Sequence, residues 1–266
     1  MSETTSSEVA VSSHVSIPVV DIETVETIDI PYGYPESYKK PTVVAEQVHQ
    51  LAVQFNLEAG PAYNFIEKVL PKLVLPDGAE GWFARPKIDA VAKQQFPKVT
   101  DKEAQYCLSL NLIISMIGTM QPMFEKLHKD HLNKKHLRRA KKTIDAFATI
   151  YSQQQGDIMI IPAQFGMRYH NTNKYEVMKT MPDNEFFLDA FTVGCMIMTN
   201  EHRFMSPDDL GVDCPGDEFD TQGFSDFKYI SSYGFFLSAV AFNTCRATTR
   251  SPQYGIATGF FPSHKN

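Results

Sequence analysis

Apolar positions recur with helical spacing early in the chain. Val44, Val48, Leu51 and Phe55 stand at intervals of four, three and four, which puts them on one face of an amphipathic helix. Pro61 is a favoured first-turn residue and opens a second predicted helix, running to Leu70 ahead of Pro71. In LVLPDGAEGWF, Pro76-Asp77-Gly78 signals a turn, and the apolar flanks predict a short hairpin. Thr100 and Glu103 have capping-box spacing, in which the hydroxyl accepts from a first-turn amide and the carboxylate reaches back. The helix they introduce carries Cys107, Leu108, Ile113, Ile114 and Met116. It is apolar nearly all round, the mark of a central buried helix, and Pro122 bends or ends it. From Asn133 to Tyr151 a single amphipathic helix is predicted. Leu137, Ala140, Ile144, Phe147, Ala148 and Tyr151 share one face, and Lys134, Lys135, Arg138, Arg139 and Lys142 share the other.

The pattern changes after Gly156. Asp157 to Ile161 reads as a buried strand ended by Pro162. Glu185 to Thr199 is a long apolar run in which periodicity does not separate helix from strand. From Phe224 onward aromatic residues alternate with small ones, with turns expected at Gly234, Asn243 and Pro252, an antiparallel β pattern. A mainly helical first half and a β-rich second half predict an α+β fold, with residues 32–266 as a single domain. Residues 1–31 hold no aromatic residue and read as a disordered acidic tail, because such a segment buries too little surface to offset its ordering entropy. A proline- and tyrosine-rich arm, Pro31 to Pro41, leads into the body.

Charge sharpens this division. The tail contains Glu3, Glu8, Asp21, Glu23, Glu26 and Asp29 but no Lys or Arg, so of 31 acidic residues 25 remain to face all 25 cations in the body. A formally neutral body has no global field for steering nucleic acid or anionic membranes. The cysteines, at 107, 195, 214 and 245, form no closely spaced pair, so zinc-ribbon and thioredoxin-type motifs are absent. The first residues lack the basic start and apolar run of a secretory signal, and Leu108 to Met120 is too short and too polar to span a bilayer. The expected compartment is the reducing cytoplasm.

Four features are candidates for chemistry. Asp208 to Asp220 holds Asp208, Asp209, Asp213, Asp217, Glu218 and Asp220 on a stretch kinked by Gly and Pro. As a loop, it offers Asp213, Asp217 and Glu218 to a hard divalent cation, Mg²⁺ or Ca²⁺; the alternative is a solvated loop whose acids cap turns. Cys214 is a candidate nucleophile if His170 or His202 reaches it, although adjacent carboxylates oppose thiolate formation. Beyond the strand at 157–161, Arg168 is a candidate for binding carboxylate or phosphate and His170 for proton transfer. The basic run Lys134, Lys135, Arg138, Arg139 and Lys142 is a candidate anion-binding face. Nucleic acid is the less favoured partner there, because no stacking aromatics interleave the cations. The chain has no G-x-G-x-x-G, Walker A, G-x-S-x-G or H-E-x-x-H sequence.

The stretches GDIMIIPAQFGMRYH at 156–170, NEF at 184–186 and DCPGDEF at 213–219 resemble an uncharacterised protein family of bacterial and phage genomes. The resemblance implies a bacterial or phage source and carries no activity or site. Two functional expectations follow from the residues. The first is a soluble intracellular interaction or structural protein that meets a protein partner or further copies of itself, away from membranes. The second is a hydrolase or metal-dependent enzyme with its site near His170 and the acidic stretch.

Overall fold

The computed structural model describes residues 32–120, 124–126, 129–236 and 239–265. The tail at 1–31 and the helix end expected at Pro122 lie outside them. Helix α1 (Val44–Phe55) buries Val48, Leu51 and Phe55, the periodic positions, together with Gln47. The Gln47 amide donates to the Thr42 and Trp82 carbonyls at 2.6 and 3.1 Å and accepts from the Ala84 N–H at 3.0 Å, so a buried polar side chain is satisfied by the strand beside it. Helix α2 (Gly60–Lys68) has its proline in the first turn. Strands β1 (Leu73–Val74) and β2 (Gly81–Pro86) follow, then α3 (Ile88–Gln95) and the long buried α4 (Lys102–Met120). The cap of α4 is Asp101, whose Oδ1 accepts from the Ala104 N–H at 2.8 Å. Its carboxylate takes the place predicted for the Thr100 hydroxyl.

Strands β3 (Phe124–Lys126) and β4 (Leu137–Arg139) precede α5 (Lys141–Gln153), the fully buried β5 (Ile158–Gln164) and α6 (Lys174–Thr180). The apolar run after Glu185 divides into strand β6 (Glu185–Phe187) and helix α7 (Ala190–Met198), separated by the Asp189 cap. The chain closes with β7 (Gly211–Phe219), β8 (Tyr229–Phe236), β9 (Ala239–Arg246), β10 (Tyr254–Ile256), β11 (Thr258–Phe260) and β12 (Ser263–His264).

This is the predicted α+β arrangement, with helices concentrated early and largely antiparallel sheets late. One sheet runs β2-β5-β11-β6 and a larger one β10-β7-β8-β9-β3, with β4 also paired to β7. The β10–β7 and β3–β9 pairs are parallel. Helices α4 and α7 pack on each other within the core that the sheets share. Tyr34 of the leading arm lies 4.0 Å from the buried Arg203 guanidinium and donates to Glu80, and the Leu210 N–H bonds the Gly33 carbonyl at 2.7 Å.

Several local predictions are corrected. Pro76-Asp77-Gly78 turns the chain, with Gly78 at φ 86°, but no hairpin forms, since β1 pairs β12 and β2 pairs β5. Pro162 lies inside β5, opposite Trp82; β11 reaches only Ala163 and Gln164, and a proline is tolerated where the ladder demands no further N–H. Gly234 and Asn243 sit within β8 and β9, while the turn at Pro252 is present. The expected helix from Asn133 begins only at Lys141. Residues 137–139 instead pair antiparallel with 217–219 of β7, and Ala140 is extended at ψ 135°. The acidic loop expected at 208–220 is mostly β7 itself, a strand buried along nearly its whole length.

Gly216 marks the irregularity in β7 where its register shifts between Cys214 and Phe219. Its N–H bonds the Leu188 carbonyl at 2.9 Å and its carbonyl accepts from Ala140 at 2.8 Å. A Cβ there would stand 2.5 Å from the Leu188 backbone. Gly216→Ala will therefore lower stability by about 1–3 kcal/mol, read as a fall in the urea midpoint. An unchanged midpoint would show that this junction yields.

Candidate functional site

The proposed metal ligands on β7 point in different directions. Asp213 is buried, with the Cys245 sulfur 3.4 Å from its Oδ1, and burial pushes its carboxyl up to about 7. Asp217, also fully buried, accepts from the Tyr106 hydroxyl at 2.5 Å and the Ala190 N–H at 3.2 Å. Burial, and then the neighbouring Asp189, raise its pKa. Glu218 faces the other way, accepting from Arg138 Nε at 2.9 Å with Lys174 Nζ at 3.7 Å. Among the described residues no three His, Cys, Asp or Glu side chains gather as a metal site would require. The ends of the acidic stretch serve turns: Asp209 accepts from the Met205 and Ser206 amides, and Asp220 from those of Gln222 and Gly223.

Cys214 is fully buried, its thiol held well above the ordinary value by burial and then by the charges of Asp217 and Asp213. It is an inert core thiol. His170 lies at the surface with Nε2 2.6 Å from the Pro252 carbonyl. Arg168, paired with Glu185 at 3.4 Å, shares an open depression with His170, Glu176 and Arg250. Arg168 and His170 are thus neighbours, and Cys214 is not with them. The basic run is dispersed as well. Lys134 pairs with Asp101 at 3.0 Å, and Lys135 is exposed in the turn before β4. Arg138 lies over Phe227 and Arg139 over Tyr106. Lys142 alone of these stands on α5.

A separate concavity lies elsewhere. A groove of about 670 Å³ runs between the start of α5, helix α6 and strand β6, within the usual size range of ligand sites. Phe186 and Phe187, both buried, and Phe261 line it, and Met178 lies on its rim at 44% exposure. Lys141 and Lys142 line its other side. They are the first two residues of α5, which has no side-chain cap, so the positive end of that helix lies at the groove.

Lys174 opens α6, whose start is fixed by Asn173 accepting from the Tyr175 and Glu176 amides. Its side chain is 13% exposed, and burial lowers its ammonium pKa, opposed by Glu218. The other acids around the groove are largely committed. Glu218 is held by Arg138, Asp145 by Lys141, and Glu185 by Arg168, Tyr169 and Thr258. No family model, curated protein or solved structure matches the chain. Among the described residues no helix is long and apolar enough to cross a membrane, and all four cysteines are free.

Lys174, Met178, Phe186 and Phe187 were not singled out from the sequence as site residues. The NEF segment carries only a resemblance, and Lys174 sits in a short polar stretch without periodicity.

Proposed function

We propose that the chain is a binding protein whose groove between α5 and α6 receives a ligand with an anionic group and an apolar body. The observation that carries this reading is the groove's composition. Phe186, Phe187 and Phe261 offer an apolar lining, while Lys142 and the uncapped start of α5 offer positive charge beside it. An anion at the head of a helix is favoured by the free N–H groups and the dipole together. Asp183, exposed at the groove, offsets one of these charges. The alternative reading, an enzyme using Arg168, His170 and Cys214, receives less support, because these groups do not converge on one cavity.

The aromatic sulfonate 1-anilinonaphthalene-8-sulfonate is a suitable probe, since it joins an anion to an apolar body. The expected result is saturable enhancement of its fluorescence at low salt, with Lys142→Glu weakening affinity about tenfold, the scale of reversing one charge in a half-open site. Lys142 is exposed on the first turn of α5, so the variant should fold normally. Binding that does not saturate, or that the variant leaves unchanged, would overturn the reading.

A further inference from the structure

We infer that Lys174 is a nucleophilic lysine that forms an imine with a ligand bearing a carbonyl and an anionic group, bound in the groove between α5 and α6. This rests on the binding reading of the groove and adds a covalent step to it.

Three observations single Lys174 out from the other groove lysines. First, it is largely withdrawn from water, at 13% side-chain exposure, yet it lines the cavity, whereas Lys141 is 85% exposed and paired with Asp145 and Lys142 is exposed. Second, its partner is already engaged. Glu218 is held by Arg138 at 2.9 Å, while Lys174 Nζ stands 3.7 Å away, beyond hydrogen-bonding distance. Third, its surroundings favour the neutral amine. Burial is the leading cause of its lowered pKa and outweighs the opposing Glu218 and Asp217 carboxylates, with the neighbouring Arg138 guanidinium adding a smaller push the same way. A desolvated lysine beside another cation is the arrangement that frees an amine for attack at neutral pH.

The step balances without a further reactant. The neutral Nζ attacks the carbonyl carbon and the C–N bond forms. The C–O bond then breaks, and the oxygen leaves as water with the nitrogen's two protons, giving the imine. The start of α5 would hold the anionic group, and the nearby phenylalanines would shield the imine from hydrolysis.

Pyridoxal 5′-phosphate supplies the carbonyl and the anion, and pyridoxine 5′-phosphate is its alcohol counterpart without a carbonyl. The protein is incubated with the aldehyde near neutral pH, reduced with borohydride, which delivers hydride to the imine carbon, and mapped by peptide mass spectrometry. Lys174 should be labelled about tenfold or more faster than each exposed lysine, as a desolvated amine requires. Lys174→Arg should abolish that label, and calorimetry on the unaltered protein should detect pyridoxine phosphate. Labelling spread over exposed lysines, with Lys174 no faster, would overturn the inference. If pyridoxine phosphate binds while Lys174 stays unlabelled, the covalent step fails and the binding reading stands. If neither pyridoxine phosphate nor the naphthalene sulfonate binds, both fail.

Discussion

Replacing Arg85 with alanine will destabilise the protein by about 3–5 kcal/mol, the usual cost of stripping one partner from a fully buried ion pair. Arg85 on β2 is completely buried and pairs with Asp189, equally buried, at 3.3 Å. Its Nε donates to Thr192 Oγ1 at 2.6 Å, and its remaining donors reach the Tyr151 hydroxyl and the Pro86 carbonyl. The guanidinium lies 4.0 Å from the centre of the Phe147 ring. Asp189 also caps α7, accepting from the Thr192 N–H at 2.8 Å, and Asp217 takes the Ala190 N–H of the same helix start. One cation and one helix terminus therefore stabilise two neighbouring buried acids. Without the guanidinium, Asp189 loses its counter-charge and the aromatic stack loses its filling.

Arg85→Lys restores charge but not the planar fork, so it should recover less than half of the loss. Combining Arg85→Ala with Asp189→Ala should cost less than the sum of the single variants, since the two side chains interact directly. Urea midpoints measure all of these effects. A loss below about 1 kcal/mol for Arg85→Ala, typical of an ordinary surface change, would show that the pair is dispensable.

How far the sequence discloses the molecule can be seen in particular elements. Helix α1 was legible because Val48, Leu51 and Phe55 face a core that demands period 3.6. Helix α4 was legible because its apolar residues continue for too long to be a strand. The segment at 137–140 was misread for a physical reason. Leu137 is buried and Arg138 exposed in β4, yet the same residues continue the amphipathic pattern of α5 upstream. Only pairing with β7, some 80 residues away, decides between the two. The carboxylates of β7 were read as solvated because acidic residues are seldom fully buried unless partnered. Their partners, Tyr106, Cys245 and the start of α7, come from distant segments. The groove was hidden likewise: Lys142, Lys174, Phe187 and Phe261 meet only in the folded chain.

Asp213 will make the protein less stable as pH rises from about 4 to about 7. Its carboxyl is buried in β7, facing the half-buried Cys245 thiol and close to Tyr254, and burial holds it at about 7. In the unfolded chain it titrates near 3.9, the ordinary value for an aspartate. Between those values the folded state keeps a proton that the unfolded state has released, and stability falls wherever the folded state binds more protons. The contribution is complete below about pH 4, declines through about pH 7 and is flat above, with a total of about 2–4 kcal/mol. Asp217, raised in the same direction, adds to the slope. The groups held low, Asp101, Glu176 and Asp220, act oppositely at more acidic pH. Comparing wild type with Asp213→Asn separates Asp213 from all of them, because asparagine keeps the shape and cannot ionise. The variant should match wild type near pH 4 and exceed it by about 2–4 kcal/mol at pH 8, measured by urea unfolding across that range. If Asp213→Asn is instead the less stable protein at pH 8, the ionised carboxylate is compensated in the fold, and Asp213 is held there by a favourable interaction with charge.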